Sequence, residues 1–334
     1  METPLNRRNF IQAAGALASL QIASTLTACR GKQHLETKNG LIRVRLQADW
    51  YPQPEQGGFF NAVVKGFYKE EGLDVTILPL PAYGSGLPSV AHGDVEFGLI
   101  SSDKILETVS NGVPLIAIGA TMQHDPQGLM MHPDSPVHSF ADLEGHTVAA
   151  QPGATWFRYV MSKYHLNNVH ETPATHSIAN FLADPNYIQQ IFITSEPYFV
   201  TKAGGAYRTL LISSAGYDPY RVFFTRQQFI DDHPEIVGKF VRASIRGWKD
   251  YMQDSSAANA LILKLNPAQH PDQMQFTFRA LKEGNFVTGA DNSGADIGRM
   301  TAERWATIND QLTSLGIIKS RIDPTTAYTL KFLP

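Results

Sequence analysis

The stretch Gly58–Leu80 reads GFFNAVVKGFYKEEGLDVTILPL. Phe59, Val63 and Phe67 recur at helical spacing, so Gly58 to Glu71 is predicted to be one helix with an apolar face. Gly72 supplies the stop, and Leu73 to Leu80 follows as a strand. The same alternation runs outward from this point. Upstream, Leu41 to Ala48 alternates apolar and polar residues and suits a strand. Downstream come a helix over Gly84–His92, a strand over Val95–Ile100, a helix over Ser102–Asn111 and a strand over Leu115–Thr121. The theme repeats with strands at His146–Ala150, Tyr187–Ile193 and Thr209–Ser213, and with helices at Ala154–His165 and from Glu196. Helices over about 234–253, 256–265, 271–283 and 299–315 complete the chain, with Pro234, Pro267 and Pro271 at their boundaries. Such alternation implies an α/β fold, a parallel sheet with helices on both faces.

Two turn-rich segments interrupt the pattern, His124-Asp125-Pro126-Gln127-Gly128 and Ser214-Ala215-Gly216-Tyr217-Asp218-Pro219. If they are neighbouring crossovers, residues 41–124 and 216–334 form lobe one and 125–215 form an inserted lobe two. A chain of 334 residues suits two cores of ordinary size. With 43% hydrophobic and 18% charged residues it is a folded, globular chain. Its net charge of -3 gives no reason to expect a nucleic-acid partner. A single cysteine excludes intrachain disulfides and cysteine-rich metal sites. No His-x-x-x-His pair and no Gly-x-Ser-x-Gly elbow occurs, so neither a metal site nor a serine-hydrolase site is expected.

The N-terminus reads as an address. Arg7-Arg8 precedes Asn9-Phe10-Ile11 and a weakly apolar stretch from Ala13 to Ala28, which resembles a twin-arginine export signal. Leu26-Thr27-Ala28-Cys29 resembles a bacterial lipobox, in which Cys29 is lipidated and becomes the mature N-terminus. The competing reading is a free cysteine near the end of an N-terminal helix. On the first reading residues 1–28 are the export signal, 29–40 a polar tether, and the mature protein is an exported lipoprotein held at a membrane through Cys29.

Several segments, taken in order, resemble a known family. Asp49-Trp50-Tyr51-Pro52 with Gly57-Gly58-Phe59-Phe60, then Lys65 to Val75, is similar to the opening of ABC-transporter solute-binding proteins of the nitrate/sulfonate/taurine and thiamine-pyrimidine-precursor type. Gly93-Asp94-Val95-Glu96-Phe97-Gly98, Phe140-Ala141-Asp142-Leu143-Glu144-Gly145, Ser195-Glu196-Pro197 and His233-Pro234-Glu235-Ile236-Val237 resemble its later landmarks. The resemblance covers about 41–334. It implies a two-lobed periplasmic-binding-protein fold of type II, each lobe a parallel-rich sheet flanked by helices, joined by two hinge crossovers. It implies a small-molecule ligand between the lobes, and as partners an ABC permease with its ATPase subunits. The protein is expected to act as a monomer, without a cofactor and without catalysis. The pyrimidine synthases of the same superfamily hold pyridoxal phosphate on a lysine and consume a histidine just after strand three. Those positions fall on Ile100 and Lys104, and the cysteine-rich motif of those enzymes is absent because Cys29 stands alone.

In open parallel sheets, ligands bind beyond the carboxyl ends of the strands. After strand one come Asp49, Trp50 and Tyr51, an aromatic pair that either stacks on a planar ring or packs the rim; Glu55 and Gln56 follow in the same loop. After strand two, Tyr83-Gly84-Ser85-Gly86 either brings backbone N–H groups to a polar ligand or is a plain turn. Ser101 and Ser102 supply hydroxyls and a helix cap. From the second lobe, Thr155 and Trp156 either face the cleft or sit in the core. Glu196 follows a strand directly and either serves the helix dipole or meets ligand. Tyr217, Asp218 and Tyr220 meet ligand or fix the second hinge. The Trp50-Tyr51-Pro52 and Glu196-Pro197 matches favour an aminopyrimidine thiamine precursor. The alternatives are a small sulfonate- or nitrate-type anion, a heterocycle such as a flavin, and an enzyme of the pyrimidine-synthase type.

Overall fold

The computed structural model describes residues 35–80, 86–175, 177–290 and 293–334. The export signal, the lipobox with Cys29, and Tyr83, Gly84 and Ser85 lie outside the described residues. Eleven strands are present among those described: β1 Thr37–Lys38, β2 Leu41–Gln47, β3 Leu73–Leu78, β4 Phe97–Ser101, β5 Leu115–Met122, β6 Gln127–Met131, β7 Thr147–Ala150, β8 His170–Pro173, β9 Ile188–Phe192, β10 Arg208–Leu211 and β11 Arg221–Arg226. They build two sheets. The first runs β1-β2-β4-β11-β5, with β3 also paired to β2; the second runs β10-β6-β9-β7-β8.

Each sheet is parallel-rich with one reversed strand inside it, and the first also carries the short antiparallel edge strand β1. In the first, β2 pairs parallel with β3 and β4, while β11 lies antiparallel between β4 and β5. In the second, β7 pairs parallel with β8 and β9, while β6 lies antiparallel between β9 and β10. The reversed strand is in each case the one the chain enters on crossing from the other sheet. The parallel-rich sheets are as expected, while the strand-helix alternation does not locate the reversed strands. Gly128 shows what β6 requires, because a Cβ there would stand 2.7 Å from the Leu210 carbonyl oxygen of β10.

The helix expected over Gly58–Glu71 is two helices, Gly57–Val64 and Phe67–Glu70. Gly66 between them has φ 79°, a left-handed conformation that ends the first helix and turns the chain. Gly57 and Gly58 are there for packing. A Cβ on Gly58 would meet the Trp248 ring at 2.1 Å, and one on Gly57 the Tyr251 ring at 2.2 Å. Their absence lets Gly57–Val64 lie against the long helix Pro234–Tyr251, whose buried face carries Phe240, Val241, Ile245 and Trp248. Of the segment read as a tether, Thr37–Lys38 pairs antiparallel with β2 and Glu36 bonds Arg43 at 2.8 Å, so its last residues belong to the first sheet.

The chain passes from β5 to β6 through Gln123–Pro126 and returns from β10 to β11 through Ile212–Tyr220. One side chain fastens these passages together. Asp218 accepts a hydrogen bond from His124 Nδ1 at 2.7 Å and from the Asp125 N–H at 2.9 Å, and Arg304 stands 3.6 Å from it. The result is a two-lobed body with paired crossovers and a cleft between the sheets.

Candidate functional site

The cleft encloses about 460 Å³. The first lobe contributes Asp49 and Trp50 from beyond β2, Glu55 from the turn Pro54–Gln56, and Ser101, Asp103 and Lys104 from the junction of β4 with the helix Ser102–Ser110. The second lobe contributes Gln151 to Trp156 from beyond β7, and Gln190, Phe192 and Glu196 from β9 and the helix Glu196–Lys202. Asp125, Gln127, Tyr217 and Arg221 complete it from the crossovers and the strands they feed.

The ionisable groups in the cleft are mostly acidic. Among the described lining residues, five carboxyls, Asp49, Glu55, Asp103, Asp125 and Glu196, face two cations, Lys104 and Arg221. Lys104 is engaged by Glu107 at 2.8 Å on its own helix. Arg221 donates to Asp49, whose second oxygen accepts from Gln56 Nε2 at 2.9 Å. Burial alone would lower the Arg221 guanidinium, but Asp49 and Asp125 outweigh it and hold its pKa above the ordinary value. The Arg221 guanidinium also lies over the Phe192 ring, 5.9 Å from its centroid.

Three carboxyls are held toward their neutral form. Burial pushes Glu55 up to about 7, although the Thr194 hydroxyl donates to it at 2.7 Å. Burial pushes Glu196 up to about 7 as well, against the Phe192 N–H that it accepts at 2.9 Å. Asp125 rises to about 6 through burial, opposed by Arg221. Asp103 accepts the Tyr217 hydroxyl at 2.7 Å, and burial raises that phenol well above its ordinary value. Thr194 is tied to the first lobe twice, because its carbonyl also accepts from Thr277 Oγ1 at 2.7 Å.

The floor on the second lobe is a chain of amides. The Gln151 N–H donates to Gln190 Oε1 at 2.9 Å, Gln190 Nε2 donates to Gln127 Oε1 at 3.3 Å, and Gln127 Nε2 reaches Asp125 Oδ2 at 3.4 Å. The direction of each bond fixes the orientation of each amide. Trp156, only 4% exposed, lines the same floor, and its indole N–H has no partner among the described residues. A buried donor left unpaired costs stability unless something arrives to accept from it.

The residues expected from sequence separate into groups. Trp50, Glu55, Gly86, Ser101, Thr155, Trp156, Glu196 and Tyr217 all line the cleft. Tyr51 does not; it is 44% exposed and meets Trp50 edge-on, with centroids 5.7 Å apart. Ser101 and Ser102 do not cap their helix by side chain. Ser102 Oγ instead accepts the Tyr220 N–H at 3.0 Å and fixes the approach to β11. Asp218 fastens the crossovers. Tyr220 lies beneath Arg304, its centroid 4.3 Å from the guanidinium carbon, and faces a separate cavity of about 590 Å³.

Arg221, Asp125, Gln127, Gln190, Phe192, Asp103 and Lys104 are lining residues that the sequence reading did not select. Arg221 and Gln127 share a reason. Arg221 begins β11 opposite Ser101 and Met122, which end β4 and β5, and Gln127 begins β6 opposite Phe192, which ends β9. The rule of carboxyl ends holds for the parallel strands; a reversed strand brings its first residue to the same edge. A charged or amide residue opening a strand straight after a crossover is the signal that finds them.

A cleft between two α/β lobes, walled by carboxyls, amides and aromatics and spanned by two fastened crossovers, defines the class of two-lobed solute-binding folds. In line with this, the periplasmic aliphatic sulphonate binding protein SsuA from Escherichia coli superposes with a TM-score of 0.67 at 14% identity, over 85% of this chain and 91% of that one. A profile of the NMT1/THI5-like family matches residues 53–258, and the chain belongs to that family. It is 22% identical over 306 residues to the riboflavin-binding protein RibY of Chloroflexus aurantiacus, across 88% of this chain and 87% of that one. It is 23% identical over 306 residues to the formylaminopyrimidine-binding protein of Halalkalibacterium halodurans, across 86% and 90%. The 4-amino-5-hydroxymethyl-2-methylpyrimidine phosphate synthase of Legionella pneumophila is 32% identical over 107 residues, covering 32% of this chain and 34% of that one. The relatives matched nearly end to end are thus named as binding proteins, and the match to a synthase is partial. Among the described residues, no group of three or more His, Cys, Asp or Glu is placed to hold a metal ion, and no helix is long and apolar enough to cross a membrane.

Proposed function

We propose that the protein is the solute-binding receptor of an ABC importer and closes its lobes on a small planar heterocycle, an aminopyrimidine thiamine precursor. The observation that carries the ligand class is the cleft's set of acceptors: five carboxyls against two cations, each cation already paired. An anion entering this cleft finds both cations already paired, whereas a ligand rich in N–H donors meets carboxyl and amide acceptors. Glu196 suits an aminopyrimidine in particular. A carboxyl bonds the exocyclic N–H and the adjacent ring nitrogen together, and the pair of bonds survives with the proton on either partner. A carboxyl titrating near 7 is matched to that exchange. Trp50 offers a ring face, and the Trp156 N–H offers a donor to an acceptor on the ligand. The match to a formylaminopyrimidine-binding protein over 86% of this chain supports the same class. A flavin is the second reading, supported by the match to RibY.

In this reading the ligand-binding set is Trp50, Glu55, Gly86, Ser101, Thr155, Trp156, Glu196 and Tyr217, extended by Arg221, Gln127 and Gln190. The lobes divide near 124/125 and 215/216, the mature chain is exported and anchored through a lipid on Cys29, and a monomer presents the loaded cleft to the permease and its ATPases. Replacing Cys29 by Ser should release the protein from the membrane fraction; a wild type that is soluble and keeps residues 1–28 would overturn the anchor.

Calorimetric titration with 4-amino-5-hydroxymethyl-2-methylpyrimidine, riboflavin and taurine tests the ligand. Glu196→Gln keeps an oxygen for the Phe192 N–H and removes the charge. It should weaken aminopyrimidine binding by about 2 kcal/mol, roughly thirtyfold. Tight taurine binding by the wild type, retained in Glu196→Gln, would overturn the assignment. Turnover of the bound solute, abolished by one cleft substitution, would overturn the receptor role.

A further inference from the structure

The geometry points to Asp49 as the residue that denies the cleft to anions, by holding Arg221 as an internal ion pair. This rests on the proposal that the natural ligand is a donor-rich heterocycle and not an anion. Arg221 is the kind of group that would bind a sulfonate or nitrate. Its planar guanidinium matches such an oxyanion in pairs of hydrogen bonds, and it stands at the junction of the two lobes. It is nevertheless engaged. Its Nη2 donates to Asp49, and the side chains of the pair are 16% and 23% exposed, so each is partly withdrawn from water.

Asp49 is itself held in place. Gln56, 1% exposed, donates from Nε2 to the other Asp49 oxygen at 2.9 Å. The carboxylate therefore has one oxygen on Gln56 and one on Arg221 and does not swing aside for an incoming anion. An anion approaching Arg221 must displace a fixed carboxylate and then remain beside it, with buried Asp125 close enough to Arg221 to raise its basicity. Asp49 is thus a positioning and selectivity residue acting through Arg221. The lobe-two face of Arg221 is closed by Phe192, which offers no counter-charge.

The test is a change of ligand class, which a merely structural role for Asp49 would not produce. Asp49→Asn keeps the shape and the acceptor for Gln56 while removing the charge. With ethanesulfonate as the probe in isothermal titration, Asp49→Asn should bind at least about tenfold more tightly than the wild type, the scale of one charge-assisted hydrogen bond. Adding Arg221→Gln in the same chain should abolish the gain. If Asp49→Asn does not fold, Asp49→Ser is read in the same way. No gain in a folded Asp49 variant, or a gain that survives Arg221→Gln, overturns the role of Asp49 and leaves the ligand assignment standing. Wild-type protein that prefers ethanesulfonate to the aminopyrimidine overturns the ligand assignment, and the anion exclusion with it.

Discussion

The two walls of the cleft are built from the same kind of sheet and do different work. The first lobe's wall is ionic: Asp49, Glu55, Asp103, Lys104 and Arg221. The second lobe's wall is mostly neutral: the amides of Gln127, Gln151 and Gln190, the hydroxyl of Thr155, and the rings of Trp156 and Phe192, with Asp125 and Glu196 as its carboxyls, both held toward their neutral form. Charge acts over distance and selects by sign, whereas oriented amides and rings select by contact. On the proposed reading, one lobe selects by charge and the other recognises by contact.

The sharpest way to break this comparison is to remove the cation. Arg221→Met leaves Asp49 and Asp125 without their counter-ion, and breaking a buried pair on one side is costly. Urea denaturation should show a loss of about 3 kcal/mol in stability. A midpoint equal to the wild type would mean that the ionic wall carries no structural weight. The next test uses the point where the walls are alike. Glu55 on one side and Glu196 on the other both keep a proton in the folded state up to about 7, against 4.5 ordinarily. Between those values the native state binds protons that the unfolded chain has lost, so stability of the ligand-free protein falls as pH rises from about 4.5 to 7. Glu55→Gln and Glu196→Gln should each flatten that fall in thermal melts; a slope unchanged in both would show that neither carboxyl is held neutral.

On the neutral wall the effects are smaller. Gln190→Leu removes the acceptor of the Gln151 N–H and the donor to Gln127. It should cost about 1 kcal/mol of stability and, with the amide chain broken, roughly tenfold in aminopyrimidine affinity. Equal affinity for wild type and variant would remove the amides from recognition. The least effect is expected at Tyr51. Trp50→Ala should weaken binding by about 1 kcal/mol while Tyr51→Ala leaves it unchanged. A loss at Tyr51 matching that at Trp50 would show that the rim closes over the ligand.

Much of the fold was legible because strand and helix alternate in the chain. The helices Ser256–Leu265 and Pro271–Glu283 fall on their sequence boundaries, helped by the prolines and by clear periodicity. The reversed strands were not. In β11, Val222, Phe223, Phe224 and Thr225 are all at most 1% exposed, so burial on both faces erases the alternation that marks a half-buried strand. In β6, Gly128 argues against a strand until the nearness of β10 explains it. Residues that follow parallel strands, such as Trp50, Thr155 and Glu196, were readable by position. Arg221 and Gln127 depend on the direction in which a strand is inserted, which is decided by pairing partners far away in sequence. Gly66 illustrates a local limit: the apolar spacing runs through it, and only its left-handed backbone divides the helix.

Thr194 belongs to the second lobe by chain and to the first by hydrogen bonding, through its hydroxyl to Glu55 and its carbonyl from Thr277. It stands two residues before Glu196. Opening the cleft breaks both bonds or drags that loop along, and neither event is needed for a solute to reach an open cleft. On the proposed reading, the pair of bonds favours the closed arrangement and should slow the escape of a bound solute. Residence time becomes a quantity that the chain can tune at a single threonine, separately from which solute it accepts.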